Sequence, residues 1–368
     1  MDAKKLKEHL IELIEMHGPS GHEEPIRAYL REQWSGLVED FEVDGLGSLV
    51  GIKRGIGPEP RKRIMLCAHM DEIGQIVTEV KDGYLRLGDI HGTDSRITLA
   101  KPVVVLARGG ALKGVVAVPP PHITRQQSGT PAYIDHRDQW VDLGLPAEEV
   151  ARLVRVGDLV TMDAPAVELM GDLIAGKAMD DRACVAAVTA CLHYLQGRTH
   201  EWDVVAVAST QEEMGLYGAR AAAYHVHPDL AIALDVSFAE QSGVNGDDHV
   251  KLGEGPQLAI GPNLHDGAVK GVLEAAKRLE MKVPIEAAPG MTGTDAAAIQ
   301  VSHEGIPTVL LEVPIRNMHS PVETVSLKDI DRAGRLMAEF ITGLTPDYLD
   351  TIAWKPEEDE ENKNGDQS

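Results

Sequence analysis

Residues 203–220, DVVAVASTQEEMGLYGAR, join an apolar run to two adjacent glutamates, Glu212 and Glu213. The Val/Ala run predicts a buried strand over 203–210, with no room for charge along it. Two carboxylates at the mouth of such a strand repel, and each disfavours ionisation of the other unless a cation lies near. The stretch therefore raises two expectations together: a helix-covered sheet, and a cation site at its strand ends.

Outward from it, the apolar periodicity predicts a helix at 182–196, a strand at 230–236, a helix at 266–280, a strand at 306–313 and a helix at 327–342. Upstream, MDAKKLKEHLIELIEM spaces Leu and Ile as a helix does. HGPSGHEE turns into a second helix, EEPIRAYLREQW, and FEVDGLGSLVGIKR and RIMLCAHMDEIG read as strands. Alternating strands and helices imply a three-layer α/β domain, a mixed sheet covered by helices on both faces. From residue 74 to 165 the texture changes to short β-type runs (YLRLGDI, PVVVLA, LKGVVAV), Gly turns and a triple proline at Pro119–Pro121. The expected organisation is a discontinuous α/β domain, 1–73 with 166–347, interrupted by a β-rich, barrel-like insertion at 74–165. The acidic segment 355–368 has almost no apolar residues and is expected to be a disordered tail.

Composition narrows the function class. The 368 residues carry a formal net charge of −23, which repels nucleic acid and anionic membrane alike. No stretch approaches the roughly 20 apolar residues of a membrane span. Three cysteines without a CxxC pair, and a start without an apolar signal core, point to a reducing, cytoplasmic setting.

Acidic and histidine residues gather where the predicted strands and helices end: His69 and Asp71 after IMLCA, Asp180 and Asp181 before an Ala-rich helix, Glu212 and Glu213, Asp235 after LAIAL, and His319 after VLLEVPIRNM. Ligands collect outside strand ends in α/β sheets. Any one of these residues has an ordinary reading. The Asp pair suits a helix N-terminus, His69 and His319 suit solvated loops, and Asp235 suits a turn. Their joint occurrence is hard to explain as packing. Imidazoles with carboxylates and no thiolate suit zinc, cobalt or manganese.

AHMDEIG, GKAMDDR, STQEEMGLYGAR, ALDVS, GMTGTDA and MHSPVETV, in this order, resemble the motifs of the dinuclear metallo-aminopeptidases that assemble into hollow tetrahedra. This is the glutamyl aminopeptidase family, some of whose members carry a cellulase-like or endoglucanase-like label. The resemblance runs from HGPSGHEE to about residue 345. It implies two divalent ions, Zn²⁺ or Co²⁺ with Mn²⁺ also suited. Asp180 would bridge them, His69 and Asp235 complete one, and Glu213 and His319 complete the other. Glu212 would be the general base, taking a proton from the attacking water, and Asp71 would orient His69. Thr292, Asp295 and His122 are candidate substrate contacts. The expected substrates are short peptides with free N-termini, and the expected assembly is dimers joined through the insertion into a tetrahedral dodecamer. Two positions depart from the family pattern: Cys184 replaces a usual glycine and reads as packing, and Tyr217 stands where a basic residue is common, at the expected pocket wall.

Rival readings are a dinuclear deacylase or carboxypeptidase acting on N-acylated amino acids, which shares the bridging aspartate and the Glu pair, and a silent assembly scaffold, which the intact ligand set disfavours. A cellulase needs an aromatic-lined cleft and two free carboxylates. Aromatic residues at 4% and candidate carboxylates engaged with metal speak against it.

Overall fold

The computed structural model describes residues 1–117, 134–243 and 250–354. His122 and the acidic tail lie outside the described residues.

The quoted stretch forms the strand Asp203–Ser209, buried along its whole length. It lies parallel to Arg63–His69, which is parallel to Leu230–Phe238, itself parallel to Thr308–Arg316. These four strands centre an 11-stranded mixed sheet. Leu49–Lys53 and Asp40–Val43 extend it antiparallel on one side. On the other side, Glu323–Ser326, Leu173–Gly176 and Val167–Glu168 do the same.

Both faces are covered, and the strands show why. Side chains alternate between faces with period two. Ile64, Leu66 and Ala68 join one core with the helices Ala3–Glu15, Met179–Tyr194, Asp266–Arg278 and Leu327–Thr342. Met65 and Cys67 join a second core with Tyr217–Val226 and Asp295–Ile299. The three-layer expectation holds. Gly334 belongs to this packing, because a Cβ there would stand 2.8 Å from Ala190 Cβ, so the small residues let the two long helices touch closely.

A closed barrel follows Gly74. Its strands, in spatial order, are Gly74–Lys81, Tyr84–His91, Trp140–Asp142, Gly110–Val116, Pro102–Ala107 and Leu159–Met162. Val77, Leu85, Val103, Val105, Val141 and Val160 fill its interior. The strands before Gly74 and those after Met162 belong to the single large sheet.

The helix Tyr217–Val226 has no counterpart among the helices expected from the sequence. Gly218 explains it: a Cβ there would lie 2.0 Å from the Thr210 carbonyl oxygen, so the helix starts hard against the strand end. That contact turns the chain back immediately after Glu212 and Glu213.

Candidate active site

The register of the parallel strands aligns the site. Ser209 pairs with His69, so the segment carrying Glu212 and Glu213 leaves the sheet beside the imidazole. Asp235 is near the end of the next strand, opposite Glu312. Asp180 and Asp181 sit in the first turn of Met179–Tyr194, where both have non-helical dihedrals. Neither serves as a side-chain cap: Asp181 Oδ2 accepts the His69 N–H at 3.2 Å.

Asp180 holds the centre. Its Oδ1 lies 3.1 Å from His69 Nε2, and its Oδ2 lies 3.3 Å from His319 Nε2. The Nδ1 side of each ring faces a main-chain carbonyl, Asp71 O at 3.3 Å and Gly92 O at 3.2 Å. Carbonyl oxygens only accept, so Nδ1 carries a proton in both rings and Nε2 is the nitrogen that points into the carboxylates. Glu212 Oε2 is 3.7 Å from His69 Nε2, and Glu213 Oε2 is 3.6 Å from His319 Nε2. The structure thus brings together His69, Asp180, Glu212, Glu213, Asp235 and His319.

Asp71 has more partners than an imidazole alone. Its oxygens accept the Glu212 N–H at 3.0 Å, the Glu213 N–H at 3.2 Å and the Ser20 hydroxyl at 2.5 Å. Its Oδ1 is 3.4 Å from His69 Nδ1.

The electrostatics describe a cluster lacking positive charge. Burial pushes the Glu212 carboxyl up to about 9, with the neighbouring Asp235 and Asp295 adding to the shift against an opposing pull from His69. Burial and Asp180 push Asp235 up to about 8. Glu213 is raised well above the carboxylate range, by burial first and then by Asp180. Asp180 goes the other way: burial raises it, but the hydrogen bonds of His319 and His69 hold it below the usual range. Burial lowers the His69 pKa, yet Glu212, Asp180 and Asp71 lift it well above the ordinary value.

These residues fit a divalent cation. Glu213 Oε1 is buried without a hydrogen-bond partner. Two triads, His69 with Glu212 and Asp235, and His69 with Asp180 and Glu213, each place their donor atoms within 4.8 Å of one another. In both rings Nδ1–H is held by a carbonyl, which leaves Nε2 as the nitrogen that would meet a metal once its own proton is displaced.

A cavity of about 570 Å³ opens on the cluster and is lined by Glu212, Glu213, Asp235, His319 and Thr292 among others. Asp295 is not among its lining residues. That carboxylate is 1% exposed and accepts the Ser209 hydroxyl at 2.6 Å. Tyr217, expected at the pocket wall, instead lines a separate groove with Tyr224 and Arg220. Cys184 is buried, and its thiol faces the Asp235 carbonyl at 3.1 Å, as the packing reading requires.

Sequence reasoning missed the supports. Glu323 accepts the main-chain N–H of His319 at 2.7 Å and of Asp180 at 3.2 Å, tying two site segments together. It stands in MHSPVETV, where an acidic residue four positions after the histidine was the available signal. Behind the site, Glu72 receives Lys177 at 2.7 Å and Arg182 at 3.4 Å, and all three side chains are buried. Gly92 comes from the barrel, and no local pattern would connect it with His319.

The M42 glutamyl aminopeptidase family matches residues 47–336. This chain belongs to that family. Its resemblance to aminopeptidases is therefore confirmed, and the chain is a peptide hydrolase of the aminopeptidase type. It is 34% identical over 338 residues to a lysyl aminopeptidase of Pyrococcus furiosus, covering 91% of this chain and 96% of that protein. It superposes with a TM-score of 0.89 on a TET aminopeptidase from a marine sediment thaumarchaeote, at 32% identity, covering 96% and 100% of the two chains. The TET1 peptidase of Pyrococcus horikoshii, described as assembling into a tetrahedron or a large octahedral shell, gives a TM-score of 0.81 at 31% identity, covering 92% and 100%. Among the described residues, no helix is long and apolar enough to cross a membrane.

Proposed function

We propose that this M42 chain removes N-terminal residues from short peptides with two divalent ions, zinc or cobalt, held at the strand ends. The observation that carries the reading is Asp180, whose two oxygens each face an imidazole Nε2, at 3.1 and 3.3 Å. A carboxylate so placed suits a bridge. His69 and Asp235 would complete one ion site, and Glu213 and His319 the other. Bound ions of this kind supply Lewis acidity, which acidifies a water and polarises a scissile carbonyl.

The protein groups do the rest. Glu212 projects into the cavity from the strand end and is the general base. Its carboxylate takes a proton from the attacking water and carries it to the leaving amine. Asp71 holds the main chain of both glutamates and steadies His69, so base and ligand keep a fixed separation. The acidic cavity wall favours a substrate whose α-amine is free and charged. Thr292, on the same wall, is placed to touch substrate.

The likeness to TET peptidases described as a dodecamer and as forming a tetrahedral or octahedral shell supports self-association; the proposed form is a dodecamer built from dimers joined through the barrel. The 34% identity to the lysyl aminopeptidase of Pyrococcus furiosus over nearly the whole chain supports the peptide-trimming role.

The test is residue release from matched free and N-acetylated peptides by protein stripped and reloaded with Co²⁺ or Zn²⁺. Metal-dependent cleavage of free N-termini is expected. Cleavage of acylated substrates alone would replace this reading with a deacylase, and no cleavage with either would leave only a scaffold.

A further inference from the structure

The cavity holds a second acidic feature that the proposed chemistry does not use. Glu312 is in the strand Thr308–Arg316, paired in register with Asp235 on the neighbouring strand. Directly paired residues of parallel strands point to the same face. Glu312 therefore looks into the same cavity, about 5 Å from Asp235 across one strand spacing. The residue is only 6% exposed, yet it lines the cavity, and its Oε2 has no hydrogen-bond partner. Glu286, on the strand Ile285–Ala287, lines the cavity too and lies within hydrogen-bonding reach of Glu312.

Two carboxyl groups this close repel each other unless they share a proton or a cation lies between them. Among the described residues lining the cavity there is no lysine or arginine. Phe238, Val236, Met291 and Met318 line the same space and offer apolar walls. An acidic end behind apolar walls matches a side chain with a methylene stem and a cationic tip.

We propose that Glu312 and Glu286 form the far end of the subsite for the substrate's first side chain and select peptides beginning with lysine or arginine. This deepens the aminopeptidase reading and rests on it. The ammonium or guanidinium donates to Glu312 Oε2, with Glu286 as its second acceptor. The stem packs between Phe238 and the methionines. No covalent step is involved; the pair sets preference and leaves the reacting atoms alone.

The test compares kcat/KM of metal-loaded protein for the Lys, Arg, Leu and Glu amides of 7-amino-4-methylcoumarin, in wild type, Glu312→Gln and Glu286→Gln. Calorimetric binding of L-lysinol and L-leucinol to the same proteins runs alongside. The wild type is expected to favour Lys and Arg, and Glu312→Gln to cut the Lys-to-Leu ratio about 10²-fold, as for loss of one partner of a buried charge pair. Glu286→Gln, nearer the rim, lowers the ratio less. A wild-type preference for Leu or Glu overturns the proposal. So does an equal loss for all four substrates, which would assign Glu312 to the α-amine. If no amide is hydrolysed, the aminopeptidase reading fails by itself, and the calorimetry still decides the subsite: tighter L-lysinol binding that weakens in Glu312→Gln supports it, and equal binding of the two alcohols refutes it.

Discussion

The carboxylate of Asp71 accepts the main-chain N–H of Glu212 at 3.0 Å. The same carboxylate accepts the N–H of Glu213, so one buried group fixes both members of the glutamate pair. A side-chain amide in its place would turn an N–H₂ toward one of these donors. Asp71→Asn is therefore expected to weaken metal binding about 10–100-fold, as for loss of a group that orients ligands. Competition with a chromogenic chelator reads this directly, and unchanged affinity would reduce Asp71 to a packing residue.

Glu212 is the base in this account, and it lies 3.7 Å from His69 Nε2 without being needed to complete either proposed ion site. Glu212→Gln should lower kcat by roughly 10²–10⁴-fold while metal content stays at the wild-type level. Full activity in the loaded variant would move the proton transfer elsewhere.

Gly92 has φ +77, and a Cβ there would sit 2.7 Å from His319 Nδ1. The barrel thus reaches the sheet's active site through a position that only glycine fills without displacing the histidine. Gly92→Ala combines a strained backbone with that clash, so a loss of about 1–3 kcal/mol is expected. Metal affinity should fall with it. Chemical denaturation and metal titration of the variant measure the two effects, and a variant that binds and melts like wild type would show that the contact yields easily.

Metal-free protein should lose stability as pH rises. Folded Glu212 and Asp235 hold protons up to about 9 and about 8, against ordinary values of 4.5 and 3.8. Between the ordinary and the folded values the native state binds more protons than the unfolded chain, so each pH step upward costs stability. That contribution is fully present below about pH 4 and is gone above about pH 9. Added Zn²⁺ should reverse the trend over neutral pH, because ligation releases those protons and tightens as pH rises. Thermal melts from about pH 5 to 9, with and without metal, test it; a metal-free Tm that rises with pH would contradict the burial argument.

The sequence carries the sheet and its cargo because both are written in local patterns. Charge-free runs such as IMLCA and VVAVA end in polar residues, and a strand end is where an α/β sheet presents its ligands. The helix-covered sheet, the β-rich insertion and the gathering of His69, Asp180, Glu212, Glu213, Asp235 and His319 were all legible this way. What stayed hidden depends on long-range approach. Gly92 meets His319 across 227 residues of chain, and Glu312 gains its meaning only when register sets it beside Asp235. The helix Tyr217–Val226 was hidden for the opposite reason: its glycines look like a loop until Gly218 is seen against the Thr210 carbonyl oxygen.

The most direct measurement is a titration of metal-free protein with Co²⁺ or Zn²⁺, following bound ions per chain and release of the first residue from a free-N-terminal peptide in the same samples. Both signals are expected to rise together to two ions per chain, and His319→Ala to stop the binding at one. Full activity in excess chelator, or saturation of wild type at a single ion, would contradict this.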